Sequence, residues 1–560
     1  MTTDDSTRAP WSGARRATQA ALLAGYAALA LAVYWPCLAG GPVSDDTLLI
    51  MNPWVTNASP STLRELVDPR SQATLYLRNY APVRPLVQAL ELRLFDHDAR
   101  LFHVSNVFAH ALACWLVALL MTRSGLPRRA AWLAGAFLLV HPALVEAIAW
   151  MSQIWNPLGL AVGTSALLAQ RRRPALACAL FALALLTRPT AVSFLPVAMI
   201  REWGWWRAGE RARRRRLWLA AWVLALAAVG AAELQTFHGS LAAPGLDPYP
   251  DAAAKARTVV AGFGRYLAMA ATGFGVSPFQ EPRAALSWLD PWWLLGLAGG
   301  AAISLRILVC LARGREEAAW WVWALAAFVP ISQLFPFLYP TADRYLYFIL
   351  PGLVGGALLA GQEAAGHLVP ARFRERAARV AAAGALLVIA GFAVWSHSRS
   401  ALWASEDRVL ADAARHFPHG LIAQLLSARR AASRGDVDDT VAAFERCRAR
   451  GWNNYGFLLS DPAFEPVRGT PPFRALIARF ADDLIEIDSR RSRMGQMDLL
   501  DLAQAYELRG RRAEAAATLE RALELGGPFD PTLRAELERL RTAPSDDAAI
   551  IVPGVIPEER

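Results

Sequence analysis

Residues 211–236 read RARRRRLWLAAWVLALAAVGAAELQT. Arg211, Arg213, Arg214, Arg215 and Arg216 stand directly before an apolar run that begins at Leu217. A run of roughly 20 apolar residues is the length that crosses about 30 Å of hydrocarbon. Basic residues in a short loop hold that loop on the cytoplasmic side. Arg171–Arg173 and Arg128–Arg129 occupy the same kind of gap between apolar runs. The basic clusters therefore read as topology determinants and not as nucleic-acid contacts.

Over its 560 residues the chain is 55% apolar and 19% charged, against about 45–50% and about 25% in soluble domains. That excludes a disordered chain and a small disulfide-stapled scaffold. The apolar excess lies in residues 17–396, whereas 397–560 reads as a charged, soluble helical protein. Net charge is +10 and Lys255 is the single lysine, so arginine carries the basic character. Cys37, Cys114, Cys178 and Cys310 lie in apolar runs and Cys447 stands alone in the tail, with no spacing that suggests zinc or a disulfide framework.

Apolar runs at 17–38, 103–122, 130–150, 153–170, 217–236, 289–312, 318–337, 345–362 and 378–396 are predicted spans. Arg15 and Arg16 precede the first, which reads as an uncleaved span. Between the basic loops 171–173 and 201–216 the chain must go out and return, so 174–200 reads as a hairpin with Arg188 near its outer tip. Residues 259–278 read as an amphipathic helix on the outer surface, which keeps Arg313, Arg315 and the 372–379 arginines inside. The result is an all-α polytopic bundle with about eleven crossings in a cytoplasmic (inner) membrane. It comprises a cytoplasmic N-terminus (1–16), a membrane domain (17–396) with outer loops 39–102, 237–288 and 338–344, and an exported tail (397–560).

In the tail, Ala503, Tyr506, Ala515, Leu519, Ala522 and Pro528 follow helix-turn-helix spacing with Gly510 at the turn, matching a tetratricopeptide repeat over 496–528. A weaker copy at 421–450 carries Ala428, Ala431, Gly435, Thr440, Phe444 and Cys447. Such repeats need about three units to close a core, so a degenerate third is expected near 462–495, or docking onto the membrane domain. Tyr506, Ala515, Leu519 and Ala522 are the expected partner-binding repeat residues.

Ionisable residues gather on the predicted outer side: Ser44-Asp45-Asp46, Arg84, His103, Asn106, His110, His141, Glu146, Arg188, Asp343, Arg344 and Tyr345. Adjacent carboxylates repel and raise one pKa, which suits a general base or a cation site. An Asp pair also serves as a helix cap or turn. Taken singly, His103 and His141 read better as satisfied helix-end histidines, and Arg84 and Arg344 read plausibly as interfacial snorkelling residues. An acidic pair beside several arginines suits deprotonating a hydroxyl while a phosphate leaves.

The segments VSDDTLLIMNPWV (43–55), YAPVRPL (80–86), FHVSNVFAHAL (102–112), HPALVEAIAW (141–150), TADRYLYFILPG (341–352) and SRSALWASEDRVL (398–410) run in order. In that order they resemble the GT-C superfamily of glycosyltransferases that use lipid-linked sugars. The nearer likeness is to its transmembrane and tetratricopeptide-repeat branch, related to protein O-mannosyltransferases. The resemblance implies a polyprenyl-phosphate-linked sugar donor, Asp45 or Asp46 as the base activating an acceptor hydroxyl, and inversion at the sugar. It implies Arg188 at the donor phosphate, with Arg84, His103, His141, Glu146, Asp343, Arg344 and Tyr345 around the substrates. No cofactor is required, and a divalent cation is optional in the superfamily. The acceptor is a protein or envelope glycan brought by the repeats. Two departures leave the sugar and acceptor open: Ser152-Gln153-Ile154-Trp155-Asn156 replaces an arginine-containing turn, and Arg188-Pro189 lacks a paired carboxylate. The rival reading is a noncatalytic membrane scaffold whose repeats bind envelope proteins. A transporter would want mid-membrane charges and an internal repeat of the bundle, and neither is present in the sequence.

Overall fold

The computed structural model describes residues 13–57, 59–237, 249–333, 341–491 and 493–542. The expectations for residues 1–12, 58, 238–248, 334–340, 492 and 543–560 fall outside them. The described residues are helical, without strands. Six helices are long and apolar enough to cross a membrane: Ala17–Ala39, Ala99–Arg123, Arg213–Thr236, Pro291–Ala312, Asp343–Leu368 and Ala371–Ala404. Arg128–Leu139 and Pro142–Ala149, bent by 53°, make a seventh if taken as one span. The sequence led us to expect about eleven.

The shortfall has a physical cause. Trp155–Ala169 has 15 residues, Pro174–Thr187 and Phe194–Arg207 have 14 each, and Glu317–Phe328 has 12. At about 1.5 Å per residue each reaches less than the hydrocarbon thickness. Exposed leucines such as Leu224 and Leu387 on the long helices are suited to lipid contact.

The expected hairpin is present. Pro174–Thr187 runs to Arg188, whose side chain meets Trp155 at one end of Trp155–Ala169. Phe194–Arg207 returns, so that Arg201 donates to the Leu167 carbonyl at the other end, 2.7 Å away. The expected amphipathic segment is the helix Ala252–Thr272, which buries a stripe of Ala254, Arg257, Ala261 and Gly264. It packs flush against Pro291–Ala312, where a side chain on Gly296 would meet the Val260 carbonyl at 1.9 Å. Small residues at a helix crossing permit this approach.

Residues 40–98 fold into five short helices, from Asp46–Ile50 to Val83–Phe95, with Asn52, Ser59 and Ser71 capping three of them. In the tail the two expected helix pairs are Leu421–Ser433 with Val437–Arg448 and Gln496–Leu508 with Arg512–Glu524. Their turns place Gly435 and Gly510 at φ +73° and +71°, a backbone region that favours glycine. Between the pairs lies the long helix Pro471–Ser489 with two shorter ones before it. The tail also docks: Trp54, Leu66 and Leu77 share one core with Leu499, Leu519 and Phe529.

Gly296→Ala is expected to destabilise the protein by about 1–3 kcal/mol, because the obstacle is a backbone carbonyl that no rotamer change relieves. Thermal unfolding of the protein in detergent checks this. An unchanged midpoint shows that the two helices separate without loss.

Candidate functional site

The site forms where regular backbone stops. Residues 150–154 and Arg188 each interrupt an apolar helix, and Val43 and Asp46 bond to the first of these breaks. The freed backbone groups find side-chain partners. Asn106 Nδ2 donates to the carbonyls of Ile148, Trp150 and Met151 at 3.0–3.2 Å. Trp150 Nε1 donates to the Val43 carbonyl at 3.1 Å.

Asp45 and Asp46 separate completely. Asp46 is buried and accepts from the Val43 N–H at 2.9 Å and the Ser152 N–H at 2.8 Å. It is a clasp between loop and bundle. Burial pushes its carboxyl up to about 7, against the opposing effect of those two hydrogen bonds. Asp45 instead lines a cleft of about 470 Å³. Its Oδ1 is buried without a hydrogen-bond partner. Burial raises the pKa of Asp45, and the charges of Arg344 and Arg84 oppose the rise. The preceding residue, Ser44, holds φ +56°, strained for a residue with a side chain.

Two guanidinium groups, Arg344 and Arg84, share the cleft with this carboxylate, and a third, Arg188, lies behind them. Arg344 lines the cleft, pairs with Glu146 and lies over the rings of Trp150 and Tyr345, each at 5.2 Å. The Glu146 carboxylate also accepts from the Arg344 backbone N–H at 2.7 Å. Arg84 also lines the cleft and is 2% exposed, with Nε and Nη2 unpartnered. Burial lowers its pKa to about 10, so it stays cationic at neutral pH. Arg84 and Arg188 both sit over the ring of Trp155, at 4.6 and 4.2 Å. Gln153 Oε1 fixes that ring by accepting from Trp155 Nε1, and it also accepts from Asn156 Nδ2, both at 2.9 Å.

The other expected site residues lie elsewhere. His141 packs between Phe137 and Phe392, accepts from the Ala143 N–H and contacts the Ala270 carbonyl through Nε2 at 3.2 Å. It terminates a helix and does not reach the cleft. His103 is buried near the backbones of Gly40 and Ala149 and does not line the cleft either. Asp343 accepts from the Ser277 N–H and from Gln280, 4.0 Å from Arg399, and so ties loops together. Ala515, Leu519 and Ala522 are buried in the core that the tail shares with Trp54 and Leu77, and Tyr506 is partly buried against it with Arg511 over its ring.

Sequence reasoning missed the opposite wall of the cleft, which the tail supplies with Gly495, Gln496, Met497, Asp498, Asp501 and Phe529. Arg78, at φ +53°, reaches across to Asp498 at 3.1 Å. Asp501 is exposed to water on this wall, and the surrounding protein and the neighbouring Asp498 carboxylate raise its pKa above the ordinary carboxylate range. The one sequence signal for this wall was the expectation that a short repeat array would dock. Trp155 and Gln153 lay in the 152–156 departure, whose role as an arginine platform has no linear signature.

No family model matches the chain, and no curated protein matches it. Among solved structures it is similar to the archaeal oligosaccharyltransferase AglB from Archaeoglobus fulgidus, in complex with an inhibitory peptide and a dolichol-phosphate. Identity is 16% and the TM-score 0.34, over 70% of this chain and 56% of that one. The chain thus spans little more than half the length of that protein.

Asp46→Ala is expected to cost about 2–3 kcal/mol of stability by leaving two buried N–H groups unpaired, whereas Asp45→Asn leaves stability nearly unchanged. Thermal melts of the two variants side by side distinguish the clasp from the free carboxylate. Equal destabilisation contradicts this division of roles.

Proposed function

We propose that this protein is a multi-pass membrane glycosyltransferase of the GT-C type, moving a sugar from a polyprenyl-phosphate donor to an acceptor hydroxyl. The observation that carries the reading is the unpartnered Asp45 carboxylate in a cleft shared with Arg84 and Arg344. The membrane orientation follows the arginine clusters, with the N-terminus cytoplasmic and the cleft and repeat-like tail on the outer face of the cytoplasmic membrane.

Asp45 takes the proton of the acceptor hydroxyl as its oxygen bonds to the anomeric carbon. The bond from that carbon to the phosphate oxygen breaks, its electron pair leaves with polyprenyl phosphate, and the configuration inverts. Arg84, Arg188 and Arg344 stabilise the charge gathering on the phosphate, which is the main task of fixed cations at a leaving group. Glu146 and Tyr345 position Arg344, and Gln153 positions the Trp155 ring under two guanidiniums. The alternative, a noncatalytic scaffold, treats the tail as a free-standing module. The core that Trp54 and Leu77 share with Phe529 ties the tail to the loop and favours the enzyme reading.

The test uses the purified full-length protein in lipid nanodiscs with labelled polyprenyl-phosphate mannose, glucose and N-acetylhexosamine, supplied with envelope extract as acceptor. Asp45→Asn is expected to lower release of polyprenyl phosphate by about 10²–10⁴-fold, the usual contribution of a general base. No release from any donor, or full activity in Asp45→Asn, overturns the proposal.

The acid limb of the rate profile follows from the direction of the Asp45 shift. The base works only when ionised and burial raises its pKa above 3.8, so activity rises with pH through a value above the ordinary carboxylate range. Arg84→Gln removes an opposing cation and moves that limb further upward. A limb at or below the ordinary value assigns the base elsewhere.

A further inference from the structure

The cleft has two chemically different walls. One wall holds Asp45 and Arg84 from the 40–98 loop with Arg344 and the ring of Trp155 from the bundle. The wall formed by the tail and the 70–80 loop holds Tyr76, Arg78, Asn79, Asp498 and Asp501. Asp498 is occupied by Arg78, Arg491 and the Gly495 N–H. Asp501 differs: its backbone carbonyl accepts from Tyr455, while its carboxylate takes part in no hydrogen bond or ion pair among the described residues. Asn79 Oδ1 is buried without a partner. Arg84, buried to 2% exposure on the facing wall, leaves Nε and Nη2 unpartnered. Buried polar atoms cost free energy unless something pairs with them, so Asn79 and Arg84 leave an unmatched acceptor and unmatched donors in the cleft, and the water-exposed Asp501 carboxylate lines it with them.

Resting on the glycosyltransferase reading, we propose that the tail wall is the acceptor subsite of this cleft and that the acceptor is a carbohydrate, held by Asp501 and Asn79 opposite Asp45. Neighbouring sugar hydroxyls each donate and accept a hydrogen bond, as these groups require. The partly exposed Tyr76 ring supplies a flat apolar surface beside them. A peptide fits less well. Extended peptides add to a strand edge, which the described residues lack, and helical ones need an apolar groove. Arg78, Arg84 and Arg344 balance Asp45, Asp498 and Asp501, so the cleft selects neither an acidic nor a basic segment. Its volume of about 470 Å³ lies in the small-ligand range of about 300–1,000 Å³.

The test measures binding separately from turnover. Saturation-transfer NMR on the full-length protein in nanodiscs, with trisaccharides of hexose, N-acetylhexosamine and mixed composition, is expected to show transfer for at least one of them. Asp501→Asn, isosteric and water-reached, weakens that binding about tenfold or more. Met497→Trp, which fills the cleft and removes no charge, abolishes it. Absence of any trisaccharide signal, or binding unchanged in both variants, overturns the inference. So does sugar transfer to a Ser/Thr peptide that Asp501→Asn leaves within twofold, an outcome that keeps the glycosyltransferase reading intact. Trisaccharide binding lost in both variants while no donor is consumed overturns the glycosyltransferase reading and keeps the carbohydrate site.

Discussion

The architecture depends on one requirement: backbone that leaves its helix inside an apolar bundle must find hydrogen-bond partners there. The Asp46 carboxylate and the Asn106 amide meet it at the central break. Asp46 bridges Val43 and Ser152, while Asn106 gathers three carbonyls from residues 148–151. With those groups paired, residues 150–155 hold an irregular path that presents Trp150, Gln153 and Trp155 to the cleft. Asp45 follows from the same clasp, since its neighbour's two bonds fix the turn on which it stands.

Concentrating positive charge is the second constraint. Arg84 and Arg188 share the ring of Trp155, whose electron-rich face tolerates two cations that would otherwise repel. Of the three, Arg344 is the one with a carboxylate ion-pair partner among the described residues, Glu146. The arrangement is held with unpartnered guanidinium nitrogens on Arg84 and Arg188, and in a low-dielectric setting such groups strengthen any anion they meet. On the far side, Asp412 on the first tail helix meets Arg399, which lies 4.0 Å from Asp343. Tail and loops are thus joined at several places, through these charges, through Glu281 with the Leu421 N–H and Arg450, and through the apolar core of Trp54 and Phe529.

Much of the long-helix pattern was legible because 20-residue apolar runs have few alternatives. The arginine clusters also located the out-and-back hairpin with Arg188 at its turn. The short helices were harder, since an apolar run does not announce where a Pro or His breaks it. His141-Pro142 reads as part of a span and folds as a bend. Of the expected site residues, Asp45, Arg84 and Arg344 meet in the cleft, with Glu146, Tyr345 and Arg188 behind them. His103, His141 and Asp343, expected around the substrates, lie outside the cleft, His141 between Phe137 and Phe392 and Asp343 bonded to Ser277 and Gln280.

By itself the sequence determined the helical class, the apolar runs that make six helices long enough to cross a membrane, the hairpin and the two helix pairs of the tail. Each follows from local periodicity, length or charge spacing. The tertiary structure alone decided which of two adjacent aspartates is free, because that turns on distant partners at residues 43 and 152. It alone brought residues 495–501 opposite Asp45, more than 400 positions away in the chain. That wall arises from burial of Trp54, Leu77 and Phe529 in one core, a contact between segments whose apolar residues carry no record of what they will meet.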